Sequence, residues 1–245
     1  MIEFKNVDKS FKAKKTVVKA LDQCSFKVNK GEIFGLLGPN GAGKTTSLRI
    51  LSTLIKPSGG EVSVGNLNPV KDARAIRKKL GFLSSDMNLS GNLSARDLLT
   101  FFGRLNHIPE TTLEKRIEGL STYLEIKKFM DRNVSTYSTG MKQKTLIAIA
   151  LIHEPEILIF DEPTNGLDII TSRLVLEYLK DLQNQGKTII LSTHIMTVAQ
   201  KMCEHIVIID RGRIKADGTL NEILEETGKD DLEDAFFDYL EVEDK

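Results

Sequence analysis

The sequence predicts an α/β fold whose main sheet is parallel and covered on both faces, and three observations support this. Short β-type runs recur at 33–37, 61–64, 81–83, 157–160, 188–191 and 205–209. Helical patterns lie between several of them, at 45–54, 141–153 and 170–183. The strand runs are apolar without clean alternation, as in strands buried from both sides.

Taken in order, the first 30 residues depart from that pattern. Ile2-Glu3-Phe4 and Ser25-Phe26-Lys27-Val28 alternate apolar and polar, as antiparallel strands with one wet face do. Residues 94–133 hold no convincing strand and carry Leu98, Leu99, Phe101, Phe102 and Leu105 at helical spacing, which predicts a helical lobe inserted from about 88 to 154. One domain over 1–228 is expected, followed by an acidic tail over 229–245 that forms a short helix. With 245 residues and 40% hydrophobic content, the chain has ample material for one core.

Bases and acids number 34 each, so overall charge points to neither nucleic acid nor an anionic membrane. Ten of the acids but only two of the bases lie in 225–245, which leaves 32 bases and 24 acids in the first 224 residues. A mildly basic body suits an anionic ligand. Cys24 and Cys203 show no paired spacing and are expected as buried reduced thiols. No basic-then-apolar leader is visible at the N-terminus, and the longest apolar run, 146–152, is far short of the ~18 residues of a spanning helix. A cytoplasmic location is expected, with a peripheral place on a membrane complex left open.

The chemistry begins at Gly38-Pro39-Asn40-Gly41-Ala42-Gly43-Lys44-Thr45-Thr46, which fits G-x-x-x-x-G-K-[ST], follows an apolar strand and opens a helix. Glycines let the backbone N–H groups turn inward around phosphates, Lys44 neutralises their oxygens, and the Thr45 hydroxyl can ligate Mg2+. A chance match in a chain this long is on the order of 1%. Later, Ile157-Leu158-Ile159-Phe160-Asp161-Glu162 is an apolar strand ending in two acids. Asp161 then sits at the sheet's C-terminal edge, where it can hold Mg2+ through water, and Glu162 can reach an attacking water. The plainer alternative is that two acids simply end a strand.

Between and after these motifs stand Tyr137-Ser138-Thr139-Gly140-Met141-Lys142-Gln143-Lys144, Pro163-Thr164-Asn165-Gly166-Leu167-Asp168 and Ser192-Thr193-His194. They resemble the signature, D-loop and switch histidine of ABC ATPases, in the family's order and over nearly all of 1–220. The resemblance implies a P-loop NTPase core of the ABC type with an N-terminal antiparallel β subdomain and an inserted α-helical subdomain. It implies an ATP hydrolase with ATP and Mg2+ as ligands. Two copies would pair head to tail, as a homodimer, with Ser138 and Gly140 of one completing the site around Lys44 of the other. Glu162 would be the general base, His194 would hold the γ-phosphate and water, and Asp168 would bridge the pair. Phe11 matches the position of the adenine-stacking aromatic, its alternative being a core phenylalanine; His194 has the alternative of a satisfied histidine at a strand end. His107, His153 and His205 read as ordinary surface or boundary residues.

Two departures stand out. Where the family usually has Pro-Gln after the third strand run, this chain has Ser84-Ser85 followed by Asp86, and the signature carries Tyr137, Thr139 and Met141 for leucine, glycine and glutamine. Together with Leu93-Ser94-Ala95-Arg96-Asp97 these features resemble the NatA type of sodium-exporting ABC ATPases. That implies a subunit on the cytoplasmic face of the membrane, docked through about 87–104 on a separate permease, with drug, antibiotic or polysaccharide export as alternatives and a soluble ABC ATPase as a more distant one. The tail places Leu232, Phe236, Phe237 and Leu240 at helical spacing, a stripe expected to pack on its own domain or on the second copy.

Overall fold

A computed structural model describes residues 1–13 and 16–241; the tail's last four residues, 242–245, with Glu243 and Asp244, lie outside the described residues. Two sheets form the frame. β1 (Ile2–Ala13), β2 (Thr16–Val28) and β4 (Gly59–Val64) make an antiparallel sheet of order β2-β1-β4. β3 (Ile33–Leu37), β5 (Leu80–Leu83), β6 (Ile157–Asp161), β7 (Thr188–Thr193), β8 (His205–Asp210) and β9 (Arg213–Gly218) make a sheet of order β5-β6-β7-β3-β8-β9, parallel except for β9.

The sequence groups 61–64 with the parallel strands, but β4 pairs antiparallel with β1. Its side chains explain this: Val62 and Val64 are buried while Glu61 is exposed, the one-wet-face pattern of the smaller sheet. β9 has no strong sequence signal because it is a polar edge strand in which only Ala216 and Gly218 are buried. The first helix, α1 (Lys44–Leu51), stops before the expected 54, since Thr53 takes a left-handed φ of 65°.

The remaining helices are α2 (Ala73–Arg77), α3 (Ala95–Leu105), α4 (Glu110–Tyr123), α5 (Thr139–Leu151), α6 (Ile169–Asn184), α7 (Met196–Met202), α8 (Leu220–Thr227) and α9 (Leu232–Glu241). Their starts are written locally. Ser94 with Asp97 and Thr219 with Glu222 form capping boxes on α3 and α8, and Ser138 and Asp168 cap α5 and α6. Among the described residues no helix is long and apolar enough to cross a membrane.

Two apolar cores sandwich the main sheet. On one side Phe4, Phe26 and Phe34 stack in series, with centroids 4.4 and 5.4 Å apart, joining the small sheet to β3. On the other, Phe160, Leu191 and Ile208 pack against the helical elements. Each such buried side chain contributes about 1.5–3 kcal/mol relative to exposure. α9 lies against α7, α8 and β9, with Leu232 and Phe236 buried and Phe237 outward. Both cysteines are buried and free; burial pushes the Cys24 thiol up to about 11 and the Cys203 thiol up to about 12.

What matters for chemistry is the adjacency β5-β6-β7-β3. Parallel register sets Leu37 beside Thr193, Asp161 beside Ser192 and Leu83 beside Phe160. Four segments distant in sequence therefore end along one edge, the C-terminal edge, where open α/β sheets bind ligands.

Candidate nucleotide site

The loop after β3 begins at Gly38, where a Cβ would stand 2.1 Å from the Ile209 carbonyl oxygen, so only glycine lets the chain leave the strand here. Gly43 has φ 117°, and a Cβ on it would meet the Ala20 carbonyl oxygen at 2.8 Å. Ala42 is buried beneath the loop, its N–H donating to the Pro39 carbonyl, while Asn40 and Gly41 reach solvent. α1 then starts without any side-chain cap and without an acid in its first turn. Its leading N–H groups and positive dipole end are left for an anion.

Pro39, Asn40, Gly41, Lys44, Thr45 and Thr46 line one side of a cavity of about 360 Å³, and Ser85, Glu162 and Asn165 line the other. Lys44 is buried, and its Nζ donates to the carbonyls of Gly38 and Pro39 (3.1 Å to the latter). Burial holds its pKa below the ordinary lysine range, and the carboxylates of Glu162 and Asp161 draw it partly back. The nearest charge is Glu162 Oε1, 4.0 Å away. A phosphate entering the cavity therefore meets a cation held by loop carbonyls, with Glu162 as a long ion-pair partner.

Asp161 is almost fully buried and accepts three hydroxyls: Thr45 at 2.9 Å and Ser85 at 3.0 Å on Oδ2, and Ser192 on Oδ1. Glu162 follows with φ 51°, a left-handed conformation that costs a non-glycine residue roughly 1–2 kcal/mol. The backbone is held there by its N–H donating to the Ser192 carbonyl at 3.1 Å and Oγ at 3.2 Å. This turn aims the carboxylate into the cavity. Its Oε1 lies 3.1 Å from His194 Nδ1, and its Oε2 accepts from Asn165 Nδ2 at 3.3 Å.

A magnesium–triphosphate fits these groups. Thr45 and Asp161 offer hard oxygen donors side by side. A larger cleft, about 760 Å³ between α4 and α6 and lined by Lys115, Arg116, Tyr178 and Lys187, has no glycine turn and no paired acids at a strand end. Chemistry rather than size marks the site.

The structure brings together the loop 38–46, with Lys44, Thr45 and Thr46, and Asp161, Glu162 and His194, but not Phe11, Ser138, Gly140 or Asp168. Phe11 lies on β1, 43% exposed, with the Lys9 ammonium over its ring at 5.0 Å; it is neither a core phenylalanine nor part of the cavity lining. Ser138 and Gly140 stand at the N-terminus of α5, Ser138 exposed and its Oγ accepting from Met141 N–H. Asp168 caps α6, accepting from Thr171 N–H at 2.9 Å and Oγ1 at 2.8 Å; these bonds hold its carboxyl below the usual range. Gln143 Nε2 donates to the Pro163 carbonyl at 2.9 Å, linking α5 to the turn after Glu162.

Sequence reasoning did not single out Asn165 or Ser192 as site residues. Ser192 lay in view at the end of an apolar strand two residues before His194; its contact with Asp161 follows from the β6–β7 register, which the residues alone do not state. Of the other histidines, His205 stacks on Phe34 and pairs with Asp217, His153 bonds the Leu80 carbonyl at 3.1 Å, and neither lines the cavity.

A family model described as "ABC transporter" matches residues 21–165. ABC transporter ATP-binding protein NatA of Bacillus subtilis (strain 168) is 38% identical over 241 residues, covering 98% of each chain. Daunorubicin resistance ATP-binding protein DrrA3 of Streptomyces coeruleorubidus is 37% identical over 88% of this chain and 68% of its own. Among solved structures, the ATP-binding cassette MJ0796, a dimer in a post-hydrolysis state bound to ADP and Pi, superposes with a TM-score of 0.82 at 30% identity, over 90% of this chain and 99% of that one.

Proposed function

The chain belongs to the ABC transporter family as an ATP-binding, ATP-hydrolysing subunit, and from that premise we propose that it powers export of Na+ through a separate membrane-spanning permease, working as a head-to-tail homodimer. The observation that carries the dimer is that the cavity is walled by Lys44, Thr45, Ser85 and Glu162 but lacks Ser138 and Gly140. Those two residues stand at the N-terminus of α5, Ser138 exposed and Gly140 half-buried, and such a terminus suits the γ-phosphate of a second copy. A dimeric cassette with ADP and Pi among the structural neighbours supports the same arrangement.

In this reading the loop N–H groups and Lys44 bind and orient the β- and γ-phosphates. Thr45 and Asp161 hold Mg2+, which when bound neutralises phosphate charge. Glu162 Oε1 orients the attacking water and takes its proton, and His194, hydrogen-bonded to that same oxygen, fixes the carboxylate's direction and reaches the γ-phosphate. Asp168 bridges the two copies in addition to capping α6. Phe11, exposed on β1, offers its ring to adenine, a stack of about 1–3 kcal/mol.

Docking on the permease is assigned to 87–104 and the helix end beyond it, where Met87, Leu93, Phe101 and Leu105 are exposed apolar residues. Docked through that surface, the subunit would sit peripherally on the cytoplasmic face. Sodium as the cargo rests on the resemblance of the 137–144 signature, the missing glutamine and 93–97 to NatA-type subunits, and on the similarity to NatA over the full chain. The test is ATP-driven Na+ flux in vesicles holding this chain and its permease. Flux that stops with Lys44→Ala supports the proposal, whereas ATP turnover with no Na+ movement removes sodium and leaves the ATPase intact.

A further inference from the structure

The turn Ser84-Ser85-Asp86-Met87 occupies the place of the expected glutamine and is held by several hydrogen bonds. Met87 N–H donates to the Ser84 carbonyl at 3.0 Å and closes the turn. Ser84 Oγ donates to Asp86 Oδ1, and Arg49 donates to Asp86 Oδ2 at 2.7 Å. The Ser84 hydroxyl, with the Arg49 guanidinium beside it, holds the Asp86 carboxyl below the usual range. Ser85 Oγ then points the other way and donates to Asp161 Oδ2 at 3.0 Å. Three residues on, Asn88 accepts from Lys142 Nζ of α5 at 3.3 Å.

A serine is too short for a glutamine's reach, but here it has a near partner in Asp161. Leu83 of β5 runs beside Phe160 of β6, which carries the backbone at 84–85 alongside Asp161, so a single hydroxyl reaches it. Arg49 belongs to α1, the helix that the phosphate loop opens, so one ion pair ties that helix to the turn that touches Asp161. With Ser85 on Oδ2 and Ser192 on Oδ1, Asp161 keeps one hydroxyl on each carboxylate oxygen independently of Thr45.

We propose that Ser85 is a positioning residue for Asp161, held in place by the Arg49–Asp86 pair, so that the affinity of the site for its divalent cation depends on this turn. The proposal rests on the assignment of Asp161 to the metal side of an ATP site. The pair itself is exposed, at 39% and 64%, and such pairs add little stability; its effect is on direction. The second consequence is a path from Asp161 through the turn and Asn88 to Lys142 in α5, the helix whose N-terminus serves the neighbouring copy.

The experiment measures Mn2+ binding by electron paramagnetic resonance in the presence of ADP, and TNP-ATP binding in EDTA by fluorescence, on the full chain. Ser85→Ala is expected to weaken Mn2+ about ten-fold, the scale of a lost hydrogen bond to a charged group. Ser85→Thr restores it, and Asp86→Asn and Arg49→Gln each weaken it by roughly two- to five-fold. Metal-free nucleotide binding stays unchanged in Asp86→Asn and Arg49→Gln, and in Ser85→Ala it falls by less than Mn2+ binding does. Wild-type Mn2+ affinity in Ser85→Ala, or an equal loss of metal-free nucleotide binding, overturns the positioning role. Inert Asp86→Asn and Arg49→Gln variants beside a weakened Ser85→Ala overturn the part played by the ion pair. A wild-type chain that binds no nucleotide in EDTA or with metal overturns the ATP-site assignment itself.

Discussion

His194 Nδ1 and Glu162 Oε1 stand 3.1 Å apart, with Lys44 Nζ 4.0 Å from the same oxygen, so one carboxylate oxygen faces both the base-side histidine and the phosphate-side lysine. Glu162→Gln keeps the shape and the Asn165 contact but cannot take a proton. Turnover should fall about 100- to 10,000-fold while ATP is still bound. Gel filtration should then show a dimer that appears with ATP and disappears without it.

Lys44→Ala removes the buried cation under the phosphates. Isothermal titration should show loss of ATP binding, and no ATP-dependent dimer should form even in the Glu162→Gln background. Retained binding with normal affinity would show that the loop N–H groups suffice without the lysine.

Asp168 caps α6, and the bridging role proposed for it can be separated from the cap by substitution. Asp168→Ala removes the cap of α6 and should cost about 1 kcal/mol in urea unfolding. Asp168→Asn keeps a capping oxygen and should be nearly as stable as the parent, yet it loses the charge assigned to the dimer contact. A weaker ATP-dependent dimer with Asn at 168, at unchanged stability, identifies the bridging role.

Legibility followed range in sequence. The phosphate loop, the two acids at the end of β6 and the helix caps were readable because their meaning lies in a few consecutive residues, and the parallel core because its strands are apolar on both faces. The sheet to which β4 belongs was not readable, since six residues with two buried valines fit either sheet until β1 selects a partner. Ser192 and Asn165 were missed for a related reason: each acts on an acid through a fold-dependent contact, across a strand pair or around a turn. Asp86 offered a possible role beside Ser85, and only the turn geometry shows that it faces Arg49 while Ser85 faces Asp161.

Phe34 sits midway in the aromatic series, fully buried and stacked on Phe26 and on His205. Phe34→Ala should lower unfolding stability by about 3–5 kcal/mol in urea titration, because both the small sheet and β8 lose contacts at once. A loss under 1 kcal/mol would mean the small sheet is not anchored there.

Burial lowers the pKa of His153 below its ordinary value of 6.5. Below pH 6.5 the unfolded chain therefore binds a proton that the folded chain resists, so this residue makes stability fall as pH drops, until the folded imidazole also titrates. His153→Gln should flatten the dependence between pH 6.5 and the folded value in denaturant titrations at several pH values. An unchanged slope would place the pH sensitivity elsewhere.

The hydrogen bond from Gln143 to the Pro163 carbonyl has a meaning beyond its 2.9 Å. It fastens α5, whose N-terminus is proposed to serve a second copy, to the turn that follows Glu162. In the proposed pair, the state of one nucleotide would be reported to the other through that bond. Two equivalent sites so joined would not turn over as independent events, and the signature of the device would be a Hill coefficient above one that falls toward one when residue 143 can no longer donate.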